Sequence, residues 1–169
     1  MIFVTVGTSS GDFSRLVKKM DEIAGEINEE VIIQYGYTKY IPRNARHFAF
    51  ASRDEILKFI QESSVVVTHG ASTIIDILKF GRIAIAVPRL RKYDEDINDH
   101  QLELCKALER QGKIKVVYNV DNLGDMLFNR DTQQLVVKSD HRLAEALRKY
   151  IESFDTGRRV GTLSNSTRY

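Results

Sequence analysis

Residues 64–81 read Ser-Val-Val-Val-Thr-His-Gly-Ala-Ser-Thr-Ile-Ile-Asp-Ile-Leu-Lys-Phe-Gly. The consecutive valines Val65, Val66 and Val67 predict a short strand buried on both faces. After Thr73 the apolar side chains recur at helical spacing and stop at Gly81, which predicts a helix. Between the two lies Gly70-Ala71-Ser72-Thr73, whose side chains are too small to block an approaching ligand. A helix start leaves backbone N–H groups without intrahelical partners, so such a turn can hold an anion. Asp76, one turn further on, is placed to accept hydrogen bonds from sugar hydroxyls beside a bound phosphate. An ordinary strand-to-helix connection with a serine cap has the same pattern. Either way the unit constrains the rest of the chain, because a strand buried on both faces needs helices above and below it.

The flanking sequence supplies that alternation. Residues 2–6 predict the first strand and Gly7-Thr8-Ser9-Ser10-Gly11 the first turn. Phe13, Leu16, Val17, Met20, Ile23, Ala24 and Ile27 then trace one face of a helix. A second strand is expected over 31–35, a polar and aromatic loop over 36–44, and a third strand over 47–51. Ser52 with Glu55 has the Ser-x-x-Glu spacing of a capping box, and Ile56, Phe59 and Ile60 give the next helix its inner face. A fifth strand over 82–87 ends before Pro88, which cannot donate to a ladder. Residues 89–97 lack periodicity and read as a mobile, charged loop in which Arg89, Arg91 and Lys92 are solvated beside Asp94, Glu95 and Asp96. Asn98 with Gln101 can cap a helix that runs to Gly112 and buries Leu104, Cys105 and Leu108. A sixth strand (115–118), a short helix (121–128) and a last helix (139–153) follow. Residues 1–153 therefore form one folded domain, and the polar, basic stretch 154–169 is expected to be a flexible tail.

Composition narrows the function. A chain of 169 residues with 43% hydrophobic content supports one domain rather than two. Its single cysteine, Cys105, cannot form an internal disulfide, and no apolar run reaches the ~20 residues that span a bilayer. The opening Met1-Ile2-Phe3-Val4 lacks the charged region of a secretory signal, so a cytoplasmic protein with no membrane span of its own is expected. Basic residues number 25 and acidic ones 23, which leaves no global field for nucleic acid. One cysteine and four scattered histidines give no metal-ligand spacing. The first turn, G-T-S-S-G, lacks the dinucleotide fingerprint, and Gln34-Tyr35-Gly36 closes the second strand without an acidic residue. No P-loop occurs either, so neither metal nor cofactor is expected.

Strands alternating with helices imply a Rossmann-like, mainly parallel α/β sheet with helices on both faces and right-handed crossovers. Ligands in such sheets sit beyond the carboxyl ends of the strands, where strand order reverses. The turns 7–11 and 70–73 both fall on that edge and can face one ligand together.

Four stretches, taken in order, carry a family resemblance: Val4-Thr5-Val6-Gly7-Thr8, Thr68-His69-Gly70-Ala71-Ser72-Thr73-Ile74-Ile75-Asp76, Val87-Pro88-Arg89 and Asn98-Asp99-His100-Gln101-Leu102-Glu103-Leu104. Over residues 1–152 the chain resembles the C-terminal, donor-binding domain of family 28 glycosyltransferases. It is most similar to the small stand-alone subunits that act in dolichol-linked oligosaccharide and bacterial exopolysaccharide synthesis. The resemblance implies half of a GT-B enzyme that binds a UDP-sugar, while a membrane-associated partner subunit holds the acceptor and keeps this chain peripheral to the membrane. Self-association is also compatible with it.

By the same resemblance Gly7, Thr8 and Ser9 would approach the diphosphate, with Gly70, Ser72 and Thr73 on its other side. The backbone of Phe50 and Ala51 would meet the uracil edge, and Asn98, Asp99, His100 and Gln101 would meet the donor sugar. Asp76 stands where the family has a longer glutamate toward the ribose, and Ala71 replaces a second glycine. His69 is either a phosphate ligand or a packing histidine. Asp99 is equally explained by the helix dipole and Gln101 by capping. The implied chemistry is displacement of UDP by an acceptor hydroxyl of a lipid-linked or polysaccharide acceptor, with His100 the local candidate for general base. A non-catalytic nucleotide-binding enhancer of a partner transferase, or a small-molecule-binding domain unrelated to sugar transfer, would carry the same fold.

Overall fold

The computed structural model describes residues 1–70, 72–95 and 100–128, with His100 by its backbone alone. The expectations for Ala71, Asn98, Asp99, the helix over 139–153 and the tail over 154–169 lie outside the described residues. The strands are β1 (Ile2–Thr5), β2 (Val31–Gln34), β3 (Arg46–Phe48), β4 (Val65–Thr68), β5 (Ile83–Ala86) and β6 (Lys115–Val116). All pair in parallel, in the order β3-β2-β1-β4-β5-β6. The chain steps outward from β1 to β3, returns to β4 beside β1, and steps outward again. Strand order thus reverses between β1 and β4, and the connections leaving their carboxyl ends part to opposite sides, opening a crevice there.

Side-chain alternation along β1 decides how the layers form. Ile2, Val4 and Val6 point to one face, where they pack with Phe13, Leu16, Val17, Met20 and Ile23 of the α1 region (Ser14–Glu26) and Leu123 of α5 (Leu123–Phe128). Phe3 points to the other, packing with Ile60 of α2 (Arg53–Glu62), Ile74, Ile77 and Leu78 of α3 (Ser72–Lys79), and Leu104, Cys105 and Leu108 of α4 (His100–Arg110). Helices therefore cover both faces of a parallel sheet, as its apolar strands require. The predicted capping box forms at α2: Ser52 N donates to Glu55 Oε2 at 2.8 Å and Glu55 N to Ser52 Oγ at 3.3 Å.

Two readings of the sequence are corrected. The third strand spans Arg46–Phe48 rather than 47–51, because the Ala49 carbonyl accepts from Gly36 N (3.1 Å) and Gln34 Nε2 (2.9 Å) and so leaves the ladder. The segment after Pro88 is not a solvated mobile loop at Arg89 and Glu95, which are only 1% and 4% exposed. Arg89 donates to the carbonyls of Gly11 (3.0 Å), Val6 (3.1 Å) and Glu95 (3.2 Å), and its guanidinium carbon lies 4.6 Å from the Phe13 ring centre. Glu95 accepts two bonds from Arg15, at 2.9 and 2.8 Å, and one from Leu90 N at 3.0 Å. A buried ion is tolerated when it is hydrogen-bonded this fully. Arg91 and Lys92, between them, are exposed as expected.

Asp21, buried in α1, is a second anchor that apolar patterning does not predict. It accepts from Tyr40 OH (2.8 Å) and from the backbone N–H groups of Arg43 (2.9 Å), Asn44 (2.8 Å) and Ala45 (3.0 Å), tying the loop after β2 to α1.

Candidate functional site

A cavity of about 350 Å³ opens at the carboxyl ends of β1 and β4, at the strand-order switch. The turn after β1 contributes Gly7, Thr8 and Ser9, and the start of α3 contributes Ser72 and Thr73. Phe50, Ala51, Arg53 and Ile56 come from the segment that leads into α2, while Thr5, Gln34 and His69 come from strand ends. Eight of the residues assigned from sequence and resemblance thus meet around one space: Gly7, Thr8, Ser9, Phe50, Ala51, His69, Ser72 and Thr73.

Gly7 adopts φ +70°, where a side chain is strained, and an added Cβ would lie 2.8 Å from His69 Cε1. The glycine therefore allows the turn to close over the histidine. The first turn of α3 holds no acidic residue, so the positive end of its dipole is not neutralised locally.

His69 is 7% exposed, and its Nδ1 is buried without a hydrogen-bond partner among the described residues. Burial pushes its pKa down to about 4, the Arg89 charge acts in the same direction, and a backbone contact with Thr5 opposes both. The ring is neutral at pH 7 and lies on the cavity wall. This has a consequence for stability. The unfolded chain binds the proton below about 6.5 but the folded one only below about 4, so the contribution is complete above 6.5 and is lost as pH falls toward 4. By the size of that shift the loss is roughly 3 kcal/mol. Urea unfolding at pH 7 and 4.5 should show a markedly smaller pH dependence in His69→Asn than in wild type; equal dependence would contradict the neutral buried ring.

The other assigned residues stand apart from the cavity wall. Asp76, 7% exposed, is engaged by Arg53, whose Nη2 lies 3.2 and 3.1 Å from the two carboxylate oxygens. It is Arg53, itself largely exposed, that lines the cavity. Gly70, at φ +127°, faces α4 instead, where an added Cβ would meet Cys105 Sγ at 3.5 Å and Gln101 Oε1 at 3.9 Å. Among the described residues Gln101 Oε1 is buried without a partner, like Thr68 Oγ1 on β4. Cys105 is no nucleophile, since burial, aided by Glu109, pushes its thiol up to about 12. His100 occupies the first position of α4. Among the described residues no three His, Cys, Asp or Glu side chains cluster as metal ligands would, and no helix is long and apolar enough to cross a membrane.

Sequence reasoning left Thr5, Gln34, Arg53 and Ile56 out of the site. Gln34 carried a readable signal: it is the one polar residue in Val31-Ile32-Ile33-Gln34, a strand apolar enough to be buried on both faces. A polar group in such a strand has to find hydrogen-bond partners.

The site can therefore offer backbone N–H groups, hydroxyls, a neutral imidazole and a helix N-terminus to an anionic, hydroxyl-rich ligand. The profile of the glycosyltransferase family 28 C-terminal domain matches residues 1–150. No curated relative matches the chain by sequence. Among solved structures, the calicheamicin glycosyltransferase CalG4 superposes with a TM-score of 0.63 at 10% identity, covering 93% of this chain and 43% of that one. MurG of Acinetobacter baumannii gives 0.57 at 19% identity, covering 89% and 49%. The UDP-GlcNAc 2-epimerase of Neisseria meningitidis, solved with UDP-GlcNAc bound, gives 0.57 at 8% identity, covering 92% and 43%. The fold is shared with all three, and this chain spans less than half the length of each.

Proposed function

The chain belongs to the glycosyltransferase family 28 C-terminal domain family, and from that membership we propose that its cavity binds a UDP-sugar donor for transfer of a hexose or N-acetylhexosamine. The observation that carries the reading is the meeting of two small-residue turns, 7–9 and 72–73, around one cavity at the β1/β4 switch. In the turn that Gly7 opens, the backbone N–H groups of Thr8 and Ser9 meet the diphosphate from one side, and Ser72, Thr73 and the α3 dipole from the other. The uracil edge lies along the Phe50–Ala51 backbone. The donor sugar extends toward Asn98, Asp99 and Gln101, with Gly70 keeping the turn beside α4 close-packed.

The reaction breaks the bond between the anomeric carbon and the diphosphate oxygen as an acceptor hydroxyl attacks, and UDP leaves carrying the negative charge. Donors already fixed around that diphosphate stabilise the charge as it grows, without reorganising. The acceptor hydroxyl also has to be held in line and shielded from water. That task falls to the acceptor-binding half, which we assign to a membrane-associated partner subunit on the resemblance to the small stand-alone subunits. The general base belongs to that half, with His100 this chain's own candidate.

Asp76 is assigned to the ribose hydroxyls, reached when Arg53 swings away to the diphosphate. Asp76→Ala should then weaken UDP at least tenfold but 2′-deoxy-UDP less than threefold, since a hydrogen bond to a charged acceptor contributes about 1.5–3 kcal/mol. Calorimetry with both nucleotides decides, and equal weakening would leave Asp76 only an anchor for Arg53. The split-enzyme reading is tested by assaying the purified chain with UDP-sugars and detergent-solubilised lipid acceptors. Transfer is expected only once the partner is added. Turnover of about 1 per second by the chain alone, an ordinary enzymatic rate, would contradict it.

A further inference from the structure

We propose that Gln34 is a positioning residue that sets the distance between the phosphate-facing turn and the base-facing segment, so that UDP is held as one ligand rather than as two separate fragments. The inference rests on the UDP reading above and concerns how that site is built.

Gln34 ends β2, lies beside Thr5 of β1 and Phe48 of β3 in the ladder, and is 2% exposed. Its Oε1 accepts from Thr5 Oγ1 at 2.6 Å and from Gly7 N at 3.1 Å. Its Nε2 donates to Gly7 O at 3.0 Å and to Ala49 O at 2.9 Å. A primary amide has two donor hydrogens and an acceptor with two lone pairs, so all of its capacity is used. Although Gln34 lines the cavity, it has no polar valence left for a ligand, which separates it from a binding or catalytic residue.

The two ends of this bridge are the two halves of the proposed site. Gly7 begins the turn assigned to the diphosphate, and Ala49 directly precedes the Phe50–Ala51 backbone assigned to the base. Gly36 reinforces the same link: its N–H donates to Ala49 O at 3.1 Å, and any Cβ there would come within 2.8 Å of Gly7 O. No other side chain type fits the four partners. Asparagine is a methylene short, methionine offers no bonds, and an ionised glutamate would set an oxygen against two carbonyls. A rigid bridge matters because linking two fragments strengthens binding only when the protein holds their subsites at the spacing of the intact ligand.

The test measures dissociation constants for uridine, inorganic pyrophosphate and UDP by NMR titration, in wild type, Gln34→Met and Thr5→Val, with thermal unfolding alongside. The linkage is the product of the two fragment constants divided by the constant for UDP. In Gln34→Met it should fall at least tenfold while each fragment weakens less than threefold. Thr5→Val, which removes one of the four bonds at nearly constant volume, should lower it by a smaller factor and supplies the answer if Gln34→Met does not fold. Unchanged linkage, or fragments weakened as much as UDP, would overturn the positioning role. Wild type that binds UDP no better than uridine would instead overturn the nucleotide reading itself.

Discussion

Replacing Gly7 by valine is expected to weaken UDP binding about 100-fold or more, equivalent to about 2.7 kcal/mol. Gly7 sits at φ +70°, a conformation in which a β-branched residue is an outlier. Its new Cβ would also lie 2.8 Å from Cε1 of the buried His69 ring. The turn or the ring has to move, and either displacement disturbs the cavity they both line. Two of the Gln34 bonds beside β1 end on the Gly7 backbone, so the shift is transmitted to the segment after β3 as well. Gly112→Val is the control: it imposes the same strain at φ +65° where an added Cβ meets nothing within 4 Å among the described residues. It should lower stability by about 1 kcal/mol and leave UDP affinity unchanged. Calorimetry on both variants decides, and wild-type affinity in Gly7→Val would mean that the nucleotide binds elsewhere.

Asp21→Ala is expected to lower unfolding stability by about 3 kcal/mol or more, since a hydrogen bond to a charged group contributes about 1.5–3 kcal/mol. The carboxylate satisfies three consecutive backbone N–H groups, Arg43 to Ala45, together with the Tyr40 hydroxyl. Alanine would leave those donors without an acceptor, at about 1–3 kcal/mol for each that stays buried. The effect reaches the site, because the tethered loop carries Tyr37, whose ring packs edge-on at 4.9 Å against the cavity residue Phe50. Burial pushes the Asp21 pKa up, but the bonds from Arg43, Tyr40, Asn44 and Ala45 outweigh it and hold the group below 3.8. Its contribution is therefore present above about pH 3.8 and is lost as pH falls through the lowered folded-state value. Urea unfolding at pH 7 measures the difference, and a loss under 1 kcal/mol would contradict the anchoring role.

The elements that were legible in the sequence are those set by local patterning. The valines of β4 and the apolar face of α1 follow from burial periodicity, and the Ser52–Glu55 cap from a short-range hydrogen-bond exchange. The crevice followed too, because right-handed crossovers between parallel strands place the turns after β1 and β4 on one edge. What stayed illegible depends on partners far away in the chain. Arg89 reads as a surface charge among charges until Phe13, Val6 and Gly11 surround it, and Glu95 until Arg15 reaches it from α1. Asp21 likewise lies within a helical stripe whose polar positions usually face water, and only the returning loop explains its burial. Within the site, Asp76 was legible as an acidic residue near the turn. Its pairing with Arg53, 23 positions earlier, was not.

The central claim is that a UDP-sugar occupies the crevice where strand order reverses, and amide chemical-shift mapping tests it most directly. Isotope-labelled protein is titrated with UDP and with a panel of UDP-sugars while the backbone amides are followed. Saturable shifts should concentrate at Gly7, Thr8 and Ser9, at Ala49, Phe50 and Ala51, and at Ser72 and Thr73, and should be absent in Gly7→Val. Shifts confined to the opposite, amino-terminal edge of the sheet, or no saturable shift with any UDP ligand, would contradict it.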